Sequence, residues 1–319
     1  MSSALLEVEN LIVEYGAGRR VVHAVSDVSL AIERGETLGL VGESGCGKST
    51  LGRAILQLNR AKSGCVRFDG IDLSVLDPVA MRRMRRRLPL IFQDPISALN
   101  PRRRVGEIVA EPLLIAGITD RAAREARVRE MLAAVGLDPE LAFHRRPWEF
   151  SGGQCQRIAI ARALILEPEL VVCDEPVSAL DVSVRAQILN LLEDMKRRHA
   201  LTLLFIAHDL AVVRAVSDRV AVMYLGRIAE IGPTEALFAA PAHPYTRLLL
   251  DAIPLPDPEV RPAENVPFGE PTSSISPPSG CRFRTRCPRA APLCAEQAPP
   301  MRRLGEGRQV ACHYDLLVG

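Results

Sequence analysis

The stretch Gly42-Glu43-Ser44-Gly45-Cys46-Gly47-Lys48-Ser49 sets three glycines at turn positions and ends on a lysine and a hydroxyl. Glycines let a backbone fold tightly enough for successive N–H groups to face one point, and a helix starting there adds its positive end. An ammonium and a hard oxygen complete a cradle for a polyphosphate and its metal. The spacing is GxxxxGKS, with an apolar strand pattern before it and a helical pattern after it, which is the context such a loop requires. Lys48 is expected to bridge the β- and γ-phosphates, Ser49 to ligate Mg²⁺, and Thr50 to add a phosphate contact. Cys46 fills a variable position and needs no chemical role.

Two further stretches carry chemistry. Leu-Val-Val-Cys-Asp-Glu-Pro at 170–176 ends an apolar run on two adjacent acids, and ligands of open α/β sheets sit at the carboxyl ends of strands. Asp174 is placed to hold the Mg²⁺ shell and Glu175 to polarise an attacking water. A buried pair of carboxylates with nothing between them would be costly. Ser151-Gly152-Gly153-Gln154 places an N-cap residue before the helical segment 155–167, stopped by Pro168, and so makes a second glycine-rich helix start. One nucleotide already fills its own loop. The second anion site therefore suits a nucleotide held by another chain, two copies facing head to tail around two nucleotides.

These residues need an α/β scaffold. Residues 35–60 read as strand, loop and a helix with apolar positions at Leu51, Ile55 and Leu58. Asp120 caps a strong helix running to Gly136, and its surroundings read as helical to about residue 167. The runs 169–174 and 201–207 are apolar without alternation, as for strands of a parallel sheet covered on both faces, with a helix between them. The arginines of 82–87 read as a solvated helix face. Past residue 235 prolines accumulate from Pro241 to Pro300, giving the texture of a loop-rich appendage.

A chain of 319 residues is long enough for two units. Its 40 basic and 38 acidic residues leave a net charge of +2, too balanced for electrostatically driven nucleic-acid binding, and 4% aromatic residues make a poor base-stacking platform. No apolar run approaches the ~20 residues that span a bilayer. The start lacks the basic and apolar regions of a signal peptide, so a cytosolic location is expected.

Ser-Gly-Gly-Gln at 151–154, Cys-Asp-Glu-Pro at 173–176, Ser-Ala-Leu-Asp at 178–181 and Ala-His-Asp at 207–209 together resemble the signature, Walker B, D-loop and switch motifs of ABC-type ATPases. The resemblance implies a P-loop ATPase core with an inserted helical subdomain at about 95–167. It implies Gln93 as a glutamine touching metal and water, Asp181 as a contact across the dimer, and His208 as a γ-phosphate switch. Tyr15, in Val-Glu-Tyr-Gly, looks like the aromatic that stacks on adenine. Phe150 stands where many relatives have Leu.

The segments 92–113, 150–168, 243–254 and 281–288 resemble the ATP-binding subunits of bacterial oligopeptide and dipeptide permeases, in particular the second of their two ATPase subunits. That likeness implies an ATPase domain over 1–235 and a C-terminal extension over 236–319. It implies two transmembrane permease subunits, a related ATPase subunit as heterodimer partner, and an extracytoplasmic peptide-binding protein, with this chain peripheral at the cytoplasmic face of the inner membrane. ATP closing the dimer and hydrolysis resetting it would drive peptide import. The alternatives are another small solute such as a nickel chelate, a soluble nucleic-acid or ribosome-associated ATPase, and a metal-bearing regulatory protein.

Of eight cysteines, Cys281, Cys287, Cys294 and Cys312 crowd the C-terminal region, separated by five, six and seventeen residues. The gaps match neither zinc ribbons nor the ferredoxin run. Arg282, Arg284, Arg286 and Arg289 are expected to offset thiolate charge and lower the thiol pKa values. Relatives share the arrangement, which looks like a four-cysteine iron-sulfur site; zinc and free thiols stay open.

Overall fold

A computed structural model of the chain describes residues 4–17, 20–253, 273–305 and 307–317. Part of the proline-rich stretch, 254–272, lies outside the described residues. The chain divides into two discontinuous compact units, one of residues 1–32, 36–74 and 206–319, the other of 33–35 and 75–205. This division is cut differently from the boundary at 235 that sequence texture suggests.

In the first unit, Leu6–Ala17 lies between Arg20–Ile32 and Ser63–Phe68 in an antiparallel sheet edged by Ile71–Asp72. The cause is visible in the alternation of Leu6, Val8, Leu11 and Val13, all buried, with more polar neighbours. That alternation skips a beat at Asn10. Asn10 takes φ +46° and the register with Arg20–Ile32 shifts there, which returns Leu11 and Val13 to the covered face.

The same unit holds a second set of strands in the order Arg302–Gly305, Arg308–Val310, Arg227–Pro233, Arg219–Tyr224, Thr37–Val41. The first three junctions are antiparallel, and Thr37–Val41 runs parallel to Arg219–Tyr224 with Leu38 opposite Arg219. Thr37–Val41 is buried at every position and leads directly into the glycine-rich loop. The helix that follows, Lys48–Ile55, buries Leu51 and Ile55 completely, each contributing about 1.5–3 kcal/mol. It is shorter than its apolar spacing suggests: Leu58 falls beyond its end and is exposed.

The C-terminal extension is less loop-like than its prolines imply. Its last two strands join the sheet through Glu230↔Val310 and Ile231↔Gln309. Glu230, fully buried, pairs with Arg308 at 3.0 Å and accepts the amides of Ala242 and His243 at 2.9 Å each. A buried carboxylate satisfied this fully fixes its surroundings, because removing one partner would strand the charge.

The second unit contains the strands Leu90–Ile91, Leu170–Asp174 and Thr202–Ile206, with the middle one flanked by the other two. Its helices include Val105–Ile115, Arg121–Ala134, Pro139–His144, Gly152–Leu164 and Val182–His199. Asp120 and Asp138 cap theirs by accepting two backbone amides each. The arginine-rich segment departs from a plain solvated face. Arg82, Arg83 and Arg85 are exposed, whereas Arg86 donates to the carbonyl of Ile115 and Arg87 pairs with Glu169 at 2.5 Å.

Candidate nucleotide site

In the first unit the loop 42–49 is pinned by its surroundings. Gly42 has φ +154°, and a β-carbon there would lie 2.1 Å from the carbonyl oxygen of Met223. Gly47, at φ +108°, would bring one within 2.1 Å of the carbonyl oxygen of Ala24. Neither approach tolerates a side chain. Gly47 is also the N-cap of Lys48–Ile55, and no side chain caps that helix start. Lys48 is 5% exposed and donates from Nζ to the carbonyls of Gly42 at 2.7 Å and Glu43 at 3.1 Å, holding the loop as one turn. The fit to phosphate is that of a tight amide-lined turn with a buried ammonium at its base. Cys46 is buried beneath the loop, and burial pushes its thiol pKa up, which makes it packing.

Other expected residues fall close by in the same unit. The amide of Ala207 donates to Leu40 at 3.1 Å, which sets the exposed His208 beside the strand entering the loop. Asp209 caps the next helix, Leu210–Val216, accepting from Ala211 and Val212. Tyr15 is 40% exposed and its hydroxyl accepts from Asn59 Nδ2 at 2.6 Å, which steadies an open ring face.

In the second unit, Leu90–Ile91 pairs parallel with Leu170–Asp174, Ile91 opposite Cys173. Parallel pairing brings both carboxyl ends to one edge, so Gln93 reaches Glu175: Gln93 Nε2 donates to Glu175 Oε2 at 3.2 Å. Glu175 takes φ +48°, a left-handed conformation that turns the chain sharply off the strand. Asp174, one residue earlier, is 1% exposed. Within this unit Asp174 and Gln93 carry oxygens of the kind Mg²⁺ prefers. Cys173 is wholly buried and its pKa is pushed up to about 12 by burial, so it is a small core residue.

Ser151 caps Gly152–Leu164 in a reciprocal box. Its hydroxyl accepts from the Gln154 amide at 3.3 Å, and its own amide donates to Gln154 Oε1 at 3.0 Å. Ser151 and Gln154 are exposed. Gly153 faces Val184, and a β-carbon there would lie 2.4 Å from its Cγ1, whereas at Gly152 the nearest atom is at 3.9 Å. Asp181 is exposed at the start of Val182–His199 without capping it, so its carboxylate is not spent on its own helix.

The late cysteines part from expectation. Cys281, Cys287, Cys294 and Cys312 line one pocket of about 310 Å³, mouth included, with His243 and Phe283. Among the described residues, however, no three Cys, His, Asp or Glu side chains form a group able to hold a metal ion. Burial raises the thiol pKa values of Cys281 and Cys287, and that of Cys312 to about 11, where lowering was expected. Arg284 and Arg289 line the pocket too, and Arg289 pulls the Cys287 thiol down, but burial outweighs it; the hydrogen bonds of the arginines go to other groups. Arg284 donates to the Ser279 carbonyl and Arg289 to that of Asp315. Arg282 bonds Leu225 and Ser26, and Arg286 forks onto Glu43 in the phosphate loop. Tyr245, whose hydroxyl accepts the Glu43 amide at 3.0 Å, was likewise invisible from sequence spacing.

The profile of the ABC transporter family matches residues 25–178, and that of the oligopeptide/dipeptide transporter C-terminal region matches 229–294. A Brucella ovis protein bearing the name of a peptide import ATP-binding protein is 51% identical over 311 residues, covering 98% of each chain. The oligopeptide transport ATP-binding protein OppF of Escherichia coli is 53% identical over 284 residues, 88% of this chain and 84% of its own. Among solved structures, the ATP-binding cassette MJ0796, a dimer bound to ADP and Pi after hydrolysis, superposes with a TM-score of 0.66 at 31% identity, covering 72% of this chain and 98% of that one. With its phosphate loop, its capped signature helix and its matching C-terminal region, the chain belongs to the ATP-binding proteins of ABC transporters, in the oligopeptide/dipeptide group.

Proposed function

We propose that this chain is the ATP-hydrolysing subunit that energises peptide import through a membrane ABC permease. The observation that carries the reading is the presence in one chain of two different glycine-rich helix starts, a buried loop closed by Lys48 and an exposed turn capped by Ser151 and Gln154. The first holds a nucleotide from below and the second completes the pocket of a partner. Peptide cargo rests on the full-length likeness to proteins named for peptide import and on the matching C-terminal region.

In this reading Gly42, Glu43, Ser44, Gly45, Cys46, Gly47, Lys48, Ser49 and Thr50 wrap the phosphates through backbone and side chain, and Tyr15 stacks on adenine. Ser49, Asp174 and Gln93 hold Mg²⁺, which when bound would neutralise phosphate charge. Glu175, steadied by Gln93, orients the attacking water, and His208 senses the γ-phosphate. Ser151, Gly152, Gly153, Gln154 and Asp181 act on the partner's nucleotide. Positioning and charge neutralisation then supply most of the catalysis of an in-line attack. The partners are two transmembrane permease subunits, a related ATPase subunit and an extracytoplasmic peptide-binding protein. No helix among the described residues is long and apolar enough to cross a membrane. The likeness to peptide import ATP-binding proteins supports a peripheral position at the cytoplasmic face of the inner membrane. We assign the helical subdomain to about 95–167 and the transporter-type extension to 236–319.

Purification of the tagged chain from membranes, identification of the bound membrane subunits, and labelled-peptide uptake with and without the chain test this reading. Peptide uptake lost with the chain supports it. A chain that binds no membrane subunit, and whose ATPase is stimulated by RNA or DNA in a salt-sensitive manner, would instead be a nucleic-acid machine.

A second reading concerns the cysteine pocket. The four cysteines line one cavity, which suits a four-cysteine iron-sulfur group, with zinc and free thiols as the alternatives; among the described residues no group of three or more ligands able to hold a metal ion is formed. Such a group would staple a proline-rich segment to the sheet. Iron, sulfide and zinc analysis of anaerobically purified protein decides it.

A further inference from the structure

We propose that Arg286 and Tyr245, both from the C-terminal extension, are positioning residues for ATP: they hold Glu43 of the phosphate loop so that its carboxylate does not oppose the polyphosphate. This deepens the ATP-binding reading and rests on it. An acid as the second residue of a phosphate-binding turn is an electrostatic liability, since it adds negative charge where several negative charges must settle. The geometry shows how the liability is contained. Arg286 Nη1 and Nη2 donate to Glu43 Oε2 and Oε1 at 2.9 and 2.8 Å, a two-bond fork of the strong, directional kind. The Arg286 side chain is 3% exposed, with Cζ 5.7 Å from the Tyr224 ring centroid and 5.9 Å from that of Phe283, whereas the Glu43 side chain is 34% exposed, so the guanidinium end of the pair is shielded and the carboxylate end is partly open to solvent.

The backbone of Glu43 is fixed by the same region. Its amide donates to the hydroxyl of Tyr245, which is fully buried at the start of Pro244–Asp251 and held protonated by that burial. Lys48 takes the Glu43 carbonyl. The Cys46 amide donates to the same carbonyl at 3.2 Å, so every polar group of Glu43 has a partner, and two of the four partners lie some two hundred residues away in sequence, at separations of 202 and 243. Arg282 adds a second brace. It bonds the Leu225 carbonyl, and the next amide, that of Gly226, donates to Cys46 in the loop at 2.8 Å. The extension thus grips the loop from Glu43 and from Cys46.

The test measures dissociation constants of ATP, ADP and AMP for the full chain and for Arg286→Met, Arg286→Lys, Glu43→Gln, the double variant Glu43→Gln/Arg286→Met, and Tyr245→Phe. Arg286→Met should weaken ATP roughly tenfold and AMP less, because the uncompensated carboxylate acts on phosphate charge. Arg286→Lys should recover part of the loss. Glu43→Gln sets the reference without the carboxylate charge, and the double variant should bind ATP within about threefold of Glu43→Gln itself, which a merely structural arginine would not do. Tyr245→Phe, which removes one oxygen, should weaken ATP by a few-fold and keeps the question open to refutation if Arg286→Met fails to fold. A double variant as weak as Arg286→Met, or an unchanged ATP affinity in both Arg286→Met and Tyr245→Phe, overturns the proposal. Lys48→Ala separates this outcome from failure of the ATP reading: if that variant keeps full ATP affinity, the loop itself is not the nucleotide site.

Discussion

The two glycine-rich helix starts differ in what holds them. At Lys48–Ile55 the N-cap is a glycine without a side chain, the following lysine is buried, and backbone carbonyls of other segments press on the turn. At Gly152–Leu164 the N-cap is a serine locked by its own glutamine, both exposed, and only one glycine is crowded. The first is shaped by the rest of its unit. The second is self-sufficient and presents itself outward, as the proposed role of half a pocket requires. The same local chemistry, amides at a helix end, is turned to two uses by capping and burial.

The contrast can be broken most forcefully from its catalytic side. Glu175→Gln keeps an oxygen to accept from Gln93 Nε2 but removes the charge proposed to polarise water, so ATP binding should persist while turnover falls by about two to three orders of magnitude. Steady-state hydrolysis beside nucleotide titration checks this, and near-normal turnover would take Glu175 out of its role. Next in size, Gly153→Ala should cost about 1–3 kcal/mol, because Val184 is β-branched and cannot swing clear, while Gly152→Ala should cost little. Thermal denaturation of the pair reads the difference. Equal melting temperatures would mean that the signature turn is as open at 153 as at 152.

Ser151→Ala removes one half of the capping box and should lower stability by about 1 kcal/mol. It should leave ATP affinity of the dilute subunit unchanged while reducing turnover at concentrations where two copies meet. Reduced affinity at high dilution would merge the two sites that the comparison separates. The smallest effect belongs to Tyr15→Leu, which keeps bulk but loses the π-face, and is expected to weaken ATP by a few-fold without changing stability appreciably. Titration with a triphosphate lacking the base should then show no difference from wild type.

Local chemistry was the legible part of this chain. The phosphate loop, the acid pair closing a doubly buried strand and the Ser151 cap each declare themselves within a dozen residues, because glycine, N-cap and apolar-run signals act over short range. The strands Leu170–Asp174 and Thr202–Ile206 formed where uninterrupted apolar runs placed them, every position buried. Leu58 misled because spacing alone cannot show where a helix loses its covering layer. Arg86 and Arg87 read as surface charge, since nothing nearby announces that the Ile115 carbonyl and Glu169 will meet them. The hairpin of Arg302–Gly305 and Arg308–Val310 hid behind prolines and arginines, its place set by Glu230 far upstream. The arginines among the cysteines were credited with tuning thiols because they stand beside them in sequence, whereas Arg282 and Arg286 bond elsewhere and, at Cys287, the lowering by Arg289 is outweighed by burial. What spacing could not deliver was contact between segments remote in the chain.

The Glu43–Arg286 fork carries an evolutionary corollary. On the proposed role, an acid at this place in the loop is tolerable only while its distant guanidinium persists, which makes the two positions one heritable unit split across most of the gene. Descendants that trade the acid for a neutral residue release the arginine to drift, while loss of the arginine first would pass through a crippled intermediate. Substitutions at these sites should therefore accumulate in a fixed order, acid before base.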